Sequence, residues 1–150
     1  MNSLLGSLGK QSSAIAFLPI KPQYAQRIVL GEKRFEFRKG KFASKVSHIV
    51  IYASTPVKKI IGVAQVSSIG TSSPSATWKS TKHAAGISRR AFRKYFMGKK
   101  QAYSIALESV YALANWISPH EIQDGFRVPQ SFVYVDQPFL KRVLQKGGAL

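Results

Sequence analysis

Gly31-Glu32-Lys33-Arg34-Phe35-Glu36-Phe37-Arg38 is the stretch from which the rest of the chain is read. Its last five residues alternate strictly: Arg34, Glu36 and Arg38 on one face, Phe35 and Phe37 on the other. That is the period of a half-buried strand. Gly31 marks the end of what precedes it. Pro22 suits the first turn of a helix, Gln23 to Leu30 can continue it, and a glycine just past the last turn stops it. On that helix Tyr24 and Ile28 face the core and Arg27 faces solvent.

Ahead of the helix, Ala14 to Ile20 is a short apolar strand closed by Pro19 and Pro22. Beyond the alternating strand, Lys39 to Lys45 reads as a basic loop. Val46 to Ala53 is a strongly β-prone core strand, with Ser54-Thr55-Pro56 after it. Ile60 to Ile69 is a further strand with Gly62 at a bulge. Ser72 to Thr81 is a Ser-rich loop or short helix carrying Trp78. Ser88 caps a helix from Arg89 to Met97, stopped by Gly98, with Phe92, Tyr95 and Phe96 inward. Gln101 to Tyr111 is a long strand, Ser118-Pro119 breaks the chain, and Pro129 to Val135 is the last strand. Gln137 to Gln145 forms a C-terminal helix. The expected organisation is a flexible tail over 1–13, one domain over 14–146, and a loose tail over 147–150. Five or six short strands with a few helices make an α+β fold, a small barrel of mostly antiparallel strands with flanking helices.

The 150 residues suffice for one compact domain with a core of its own. There is no cysteine, which excludes disulfides, thiolate zinc sites and thiol nucleophiles and fits a reducing, cytoplasmic setting. No apolar run reaches the ~18 residues of a membrane helix, and the first residues make a poor signal peptide. The net charge is +17. From Phe37 to Leu107 there is no acid but there are 14 Lys or Arg. Such a field repels itself, so the expected partner is a polyanion, nucleic acid first, with an acidic protein as the weaker alternative and no membrane.

Phosphate-binding GxxxxGK[ST] and GxGxxG loops are missing. His48, His83 and His120 lack metal-ligand spacing, so no metal and no cofactor is expected. His48 alternates with Val46, Val50 and Tyr52 and reads as a satisfied core or rim histidine rather than a catalytic one.

The opening octapeptide fits G-x-K-x-x-E-x-R and resembles the signature of the ASCH domain, a branch of the PUA-like fold. Ile20-Lys21-Pro22 with Tyr24-Ala25 resembles the family's opening strand and helix. Ile51-Tyr52-Ala53-Ser54-Thr55-Pro56 followed by Ile60-Ile61-Gly62, then Trp78, Gly86-Ile87-Ser88 and Pro129-Gln130-Ser131-Phe132, resemble a bacterial and phage subgroup. The resemblance spans roughly residues 14–135. It implies a PUA-like β-barrel with a cleft beside the octapeptide, and RNA rather than DNA as the ligand, in regulation of transcription or translation. Some family members are enzymes, a ribonuclease and an amidohydrolase acting on N4-acetylcytidine. Lys33 takes the place of the amidohydrolase's essential lysine, and Glu36 stands where that enzyme has its catalytic threonine.

These readings give two candidate functions. The first is an RNA-binding module. Glu36 would accept hydrogen bonds from a base edge, and Arg34 and Arg38 would grip a phosphate or pair with Glu36. Lys21 and Lys33 would contact phosphates, Ser54 and Thr55 would offer hydroxyls, and Tyr52 and Trp78 would stack bases or pack in the core. Arg89, Arg90, Arg93 and Lys94 would track the backbone. The alternative is a metal-independent ribonuclease or modified-nucleoside hydrolase, with Lys33 and Glu36 catalytic.

Overall fold

A computed structural model describes residues 13–149. Six strands form one sheet: β1 (Ala14–Ile20), β2 (Phe35–Arg38), β3 (Val46–Ala53), β4 (Lys59–Ser72), β5 (Ala102–Ile117) and β6 (Val133–Val135). Among the described residues four α-helices accompany them: α1 (Pro22–Val29), α2 (Pro74–Thr81), α3 (Arg89–Tyr95) and α4 (Gln137–Lys146). The strand order is β2-β5-β4-β3-β1-β6. Only β1 and β3 run parallel; the other neighbours are antiparallel. This is the expected α+β class. The edge strands β2 and β6 share no ladder. Instead Arg38 on β2 donates from Nη2 to the Pro19 carbonyl on β1 at 3.0 Å and from Nη1 to the Ser131 carbonyl ahead of β6 at 3.3 Å. The curled sheet thus keeps a seam bridged by one side chain.

Both faces of the central strands are covered, which is why β3 is nearly continuously apolar. Val50 and Tyr52 point to one cluster, with Phe17, Val63, Leu113 and the α4 residues Phe139, Leu140 and Val143. Ile49 and Ile51 point to the other, with Leu18, Ile61, Ile105 and Ile28 of α1. A third, smaller cluster of Phe37, Phe92, Phe96 and Ala102 seats α3 against β2 and β5. Asp136 caps α4 by accepting from the Phe139 amide at 2.9 Å, and Ser88 caps α3 from the Ala91 amide at 3.1 Å.

Several element ends differ from the sequence reading. β5 runs on to Ile117, because Leu113 and Ile117 still face the α4 cluster. The strand expected from Pro129 is laddered only over Val133–Val135, since the chain at Ser131 is held by Arg38 instead. Gly62 does sit at a register shift in β4. Of the expected C-terminal tail, residues 147–149 are described and are held to the fold. Gly147 is buried and its carbonyl accepts from the Asn115 amide at 3.1 Å, while the Ala149 amide donates to the Leu144 carbonyl at 2.8 Å. Ser13 apart, the expected N-terminal tail lies outside the described residues. Among the described residues no helix is long and apolar enough to cross a membrane.

Candidate active site

The octapeptide is stitched to a distant loop before it becomes a strand. The Arg34 amide donates to the Ala84 carbonyl at 2.9 Å, Lys33 Nζ to the Ala85 carbonyl at 2.7 Å, and Arg27 Nη1 to the Gly86 carbonyl at 2.9 Å. Three successive carbonyls are thereby used. Gly86 has φ +64°, and a Cβ there would meet the Lys33 Cβ at 2.3 Å, so the loop approaches this closely only because it has no side chain at that point.

The consequence is a buried lysine. Lys33 is 2% exposed, and its ammonium lies 4.6 Å from the Phe37 ring centroid and 5.5 Å from that of Tyr24. Desolvation lowers its pKa from 10.5 to about 8, with Glu36 opposing that fall and Arg27 adding to it. Glu36 is also buried, and its Oε2 accepts from Arg38 Nη2 at 3.2 Å. Arg38 bonds through Nη1 and Nη2 to Glu36, Pro19 and Ser131, and its buried Nε has no partner among the described residues. Of the two roles expected of Arg38, the structure shows the internal pairing: Arg38 orients Glu36 and ties the seam.

These groups floor a cleft of about 700 Å³ at the seam. The ends of β1 and β2 form one wall, α3 the other. Of the residues singled out from sequence, Lys21, Lys33, Glu36, Arg38, Ser54 and Lys94 line it. Trp78, Arg89 and Arg93 line a second groove of about 330 Å³ on the other side of α3. Arg34, Thr55 and Arg90 are exposed and line neither. Tyr52 is corrected as a stacking platform: it is 5% exposed and packs on Phe17 at 5.2 Å between ring centroids, under α4. His48 is fully buried, with Nδ1 2.8 Å from Ser47 Oγ.

The sequence reading missed Tyr24, Tyr95 and Ser131 as lining residues. Helical periodicity sent both tyrosines to the core. Tyr95 is instead 37% exposed on the rim, its ring 4.5 Å from Lys39 Nζ. Ser131 belonged to a segment carrying the family resemblance, and that was the signal available for it. Among the described residues no group of three His, Cys, Asp or Glu is placed to hold a metal ion.

A family model of the ASCH domain matches residues 18–119. The chain belongs to the ASCH domain family. The matched segment contains the whole octapeptide, Lys21 and α3, and ends before the Ser131 wall of the ASCH cleft. An ASCH domain-containing ribonuclease of Zymomonas mobilis subsp. mobilis is 30% identical over 123 residues, covering 80% of this chain and 83% of that protein. The crystal structure of ASCH from Zymomonas mobilis superposes with a TM-score of 0.80 at 28% identity, over 87% of this chain and 94% of that one. The N-terminal domain of Staphylothermus marinus McrB shares the fold at a TM-score of 0.58 and 14% identity, over 93% and 96% of the two chains.

Proposed function

We propose that this ASCH domain is a ribonuclease that cuts single-stranded RNA in the seam cleft without a metal ion. The observation that carries the reading is Lys33, an ammonium buried in the cleft floor with its pKa brought down to about 8 beside a buried carboxylate. A lysine of ordinary pKa holds its proton too tightly to donate it near neutral pH, whereas one near 8 is still charged at pH 7 and gives the proton up readily. The related Zymomonas mobilis ribonuclease supports the same reading.

The chemistry follows from the groups present. Glu36, aimed by Arg38, accepts the proton of the ribose 2′-hydroxyl as its oxygen attacks the adjacent phosphorus. The ammonium of Lys33 stabilises the charge growing on the phosphoryl oxygens and donates a proton to the departing O5′. The 2′O–P bond forms and the P–O5′ bond breaks. The products are a 2′,3′-cyclic phosphate and a 5′-hydroxyl, and the two side chains exchange protons with water to reset. Lys21 and Lys94, exposed on the rim, draw in the flanking phosphates. Tyr24 and Tyr95 give the cleft aromatic walls against which a base can lie.

The test is incubation of labelled single-stranded RNA with the protein in chelating buffer. Cleavage is expected to end in cyclic phosphate, to stop at a position carrying 2′-deoxyribose, and to be lost in Lys33→Ala and Glu36→Gln. Cleavage that survives both substitutions refutes the assignment. A second reading, a base-reading module without cleavage, draws on the Glu36–Arg38 pair, which presents a fixed carboxylate acceptor to an exocyclic amine. Salt-sensitive binding of RNA that remains intact would favour it.

A further inference from the structure

Helix α3 stands between two concavities. Ala91, Lys94 and Tyr95 face the seam cleft, while Arg89, Phe92, Arg93 and Phe96 face the second groove. The groove has an aromatic floor. Trp78 is half-buried, with its ring 5.1 Å from that of Phe92, and Phe92 lies 4.8 Å from Phe96. Its rim carries Lys79, Arg89, Arg93 and Lys99, all exposed. None of these four forms a salt bridge among the described residues, and the lining holds no acid. Four exposed cations around an aromatic slot concentrate positive potential there, which attracts an anionic ligand.

We propose that the groove is a second nucleotide subsite, so that single-stranded RNA crosses α3 from the seam cleft and lodges a flanking base against Trp78. The inference rests on the proposed RNA-directed function and extends it to substrate length. Lys94 and Arg93 are consecutive on α3 and open to opposite sides, one cation for each concavity, so a strand passing over the helix meets charge on both slopes. Arg89 and Arg93 are one turn apart, about 6 Å along the axis. They take backbone phosphates, while the indole supplies a contact available to any base. The groove's volume of about 330 Å³ matches the lower end of small-ligand pockets, roughly 300 Å³, and is too small for a duplex. The consequence is a preference for unpaired RNA longer than the seam cleft alone can hold.

The experiment uses 2′-O-methyl oligouridylates, which carry no free 2′-hydroxyl and so separate binding from cleavage. A Trp116→Phe background leaves Trp78 as the reporting indole. An oligomer long enough to cross α3 is expected to bind about tenfold or more tighter than a trinucleotide of the same chemistry and to quench Trp78. In Arg89→Gln/Arg93→Gln that advantage shrinks, and the slope of log affinity against log salt falls in magnitude by about 1.4, two contacts at ~0.7 each. Equal affinity for both lengths, or an unchanged slope in the double variant, overturns the proposal. So does quenching by polyglutamate with none by RNA, which would assign the groove to an acidic protein. Length-dependent binding by a protein that cuts no RNA keeps the groove and removes the nuclease reading. Cleavage by a protein that binds both lengths equally does the reverse.

Discussion

Replacing Lys33 by methionine separates the cost of this residue to the fold from its use. The pKa of Lys33 falls from 10.5 to about 8 on folding. At about 1.4 kcal/mol per pH unit, the folded protein disfavours the charged form by about 3 kcal/mol relative to the unfolded chain. Because the folded-state value is the lower one, this stability is present above pH 10.5 and is lost as the pH falls through about 8. At pH 7 the wild type bears the full penalty. Methionine has no charge to desolvate and keeps the contact with the Phe37 and Tyr24 rings. It forfeits the hydrogen bond to the buried Ala85 carbonyl, a loss of about 1–2 kcal/mol. Lys33→Met is therefore expected to be about 1–2 kcal/mol more stable than wild type at pH 7. By pH 10 the wild type has recovered all but about 1 kcal/mol of its penalty, so the advantage vanishes or reverses. Urea unfolding of both proteins at the two pH values measures this, with RNA cleavage abolished in the variant throughout. A stability difference independent of pH, or a variant markedly less stable at pH 7, would refute the reasoning.

Three further outcomes follow from the same geometry. If the Lys33 ammonium is the acid of the reaction, cleavage should fall as pH rises through about 8, and a rate profile flat through pH 9 would remove it from that role. Gly86→Ala, with φ +64° and a Cβ at 2.3 Å from that of Lys33, should destabilise by about 3 kcal/mol, whereas Gly98→Ala, with φ +78° and open space, should cost about 1 kcal/mol; equal denaturation midpoints for the two variants would contradict the close approach. Asp136→Ala removes the cap of α4 and should cost about 1 kcal/mol by thermal or urea unfolding, with no effect on RNA binding.

Local patterns carried much of this protein. The alternation from Arg34 to Arg38, the apolar run of β3, and the cap at Ser88 are short-range features, and each element formed where its residues favour it. Boundaries slipped where a distant partner decided them. β5 continues because α4 covers its far end, and β6 shortens because Arg38 takes the Ser131 carbonyl. The same holds for the site. The octapeptide named Lys33, Glu36 and Arg38 together, but alternation alone puts Glu36 and Arg38 on a solvent face. The structure buries Glu36 and turns Arg38 inward, because the two sheet edges meet there.

The sequence by itself determined the α+β class, the acid-free cationic stretch, and the residue types at the cleft, since composition and short-range periodicity are properties of the chain. Only the tertiary structure decided that Lys33 loses its water, that Arg38 bonds to Glu36, Pro19 and Ser131 across the seam, that Tyr52 is core, and that α3 divides two concavities. Desolvation and partner choice depend on which segments pack together. The Ala84–Gly86 loop lies more than fifty residues from Lys33 in the chain, yet it sets the chemistry of that lysine.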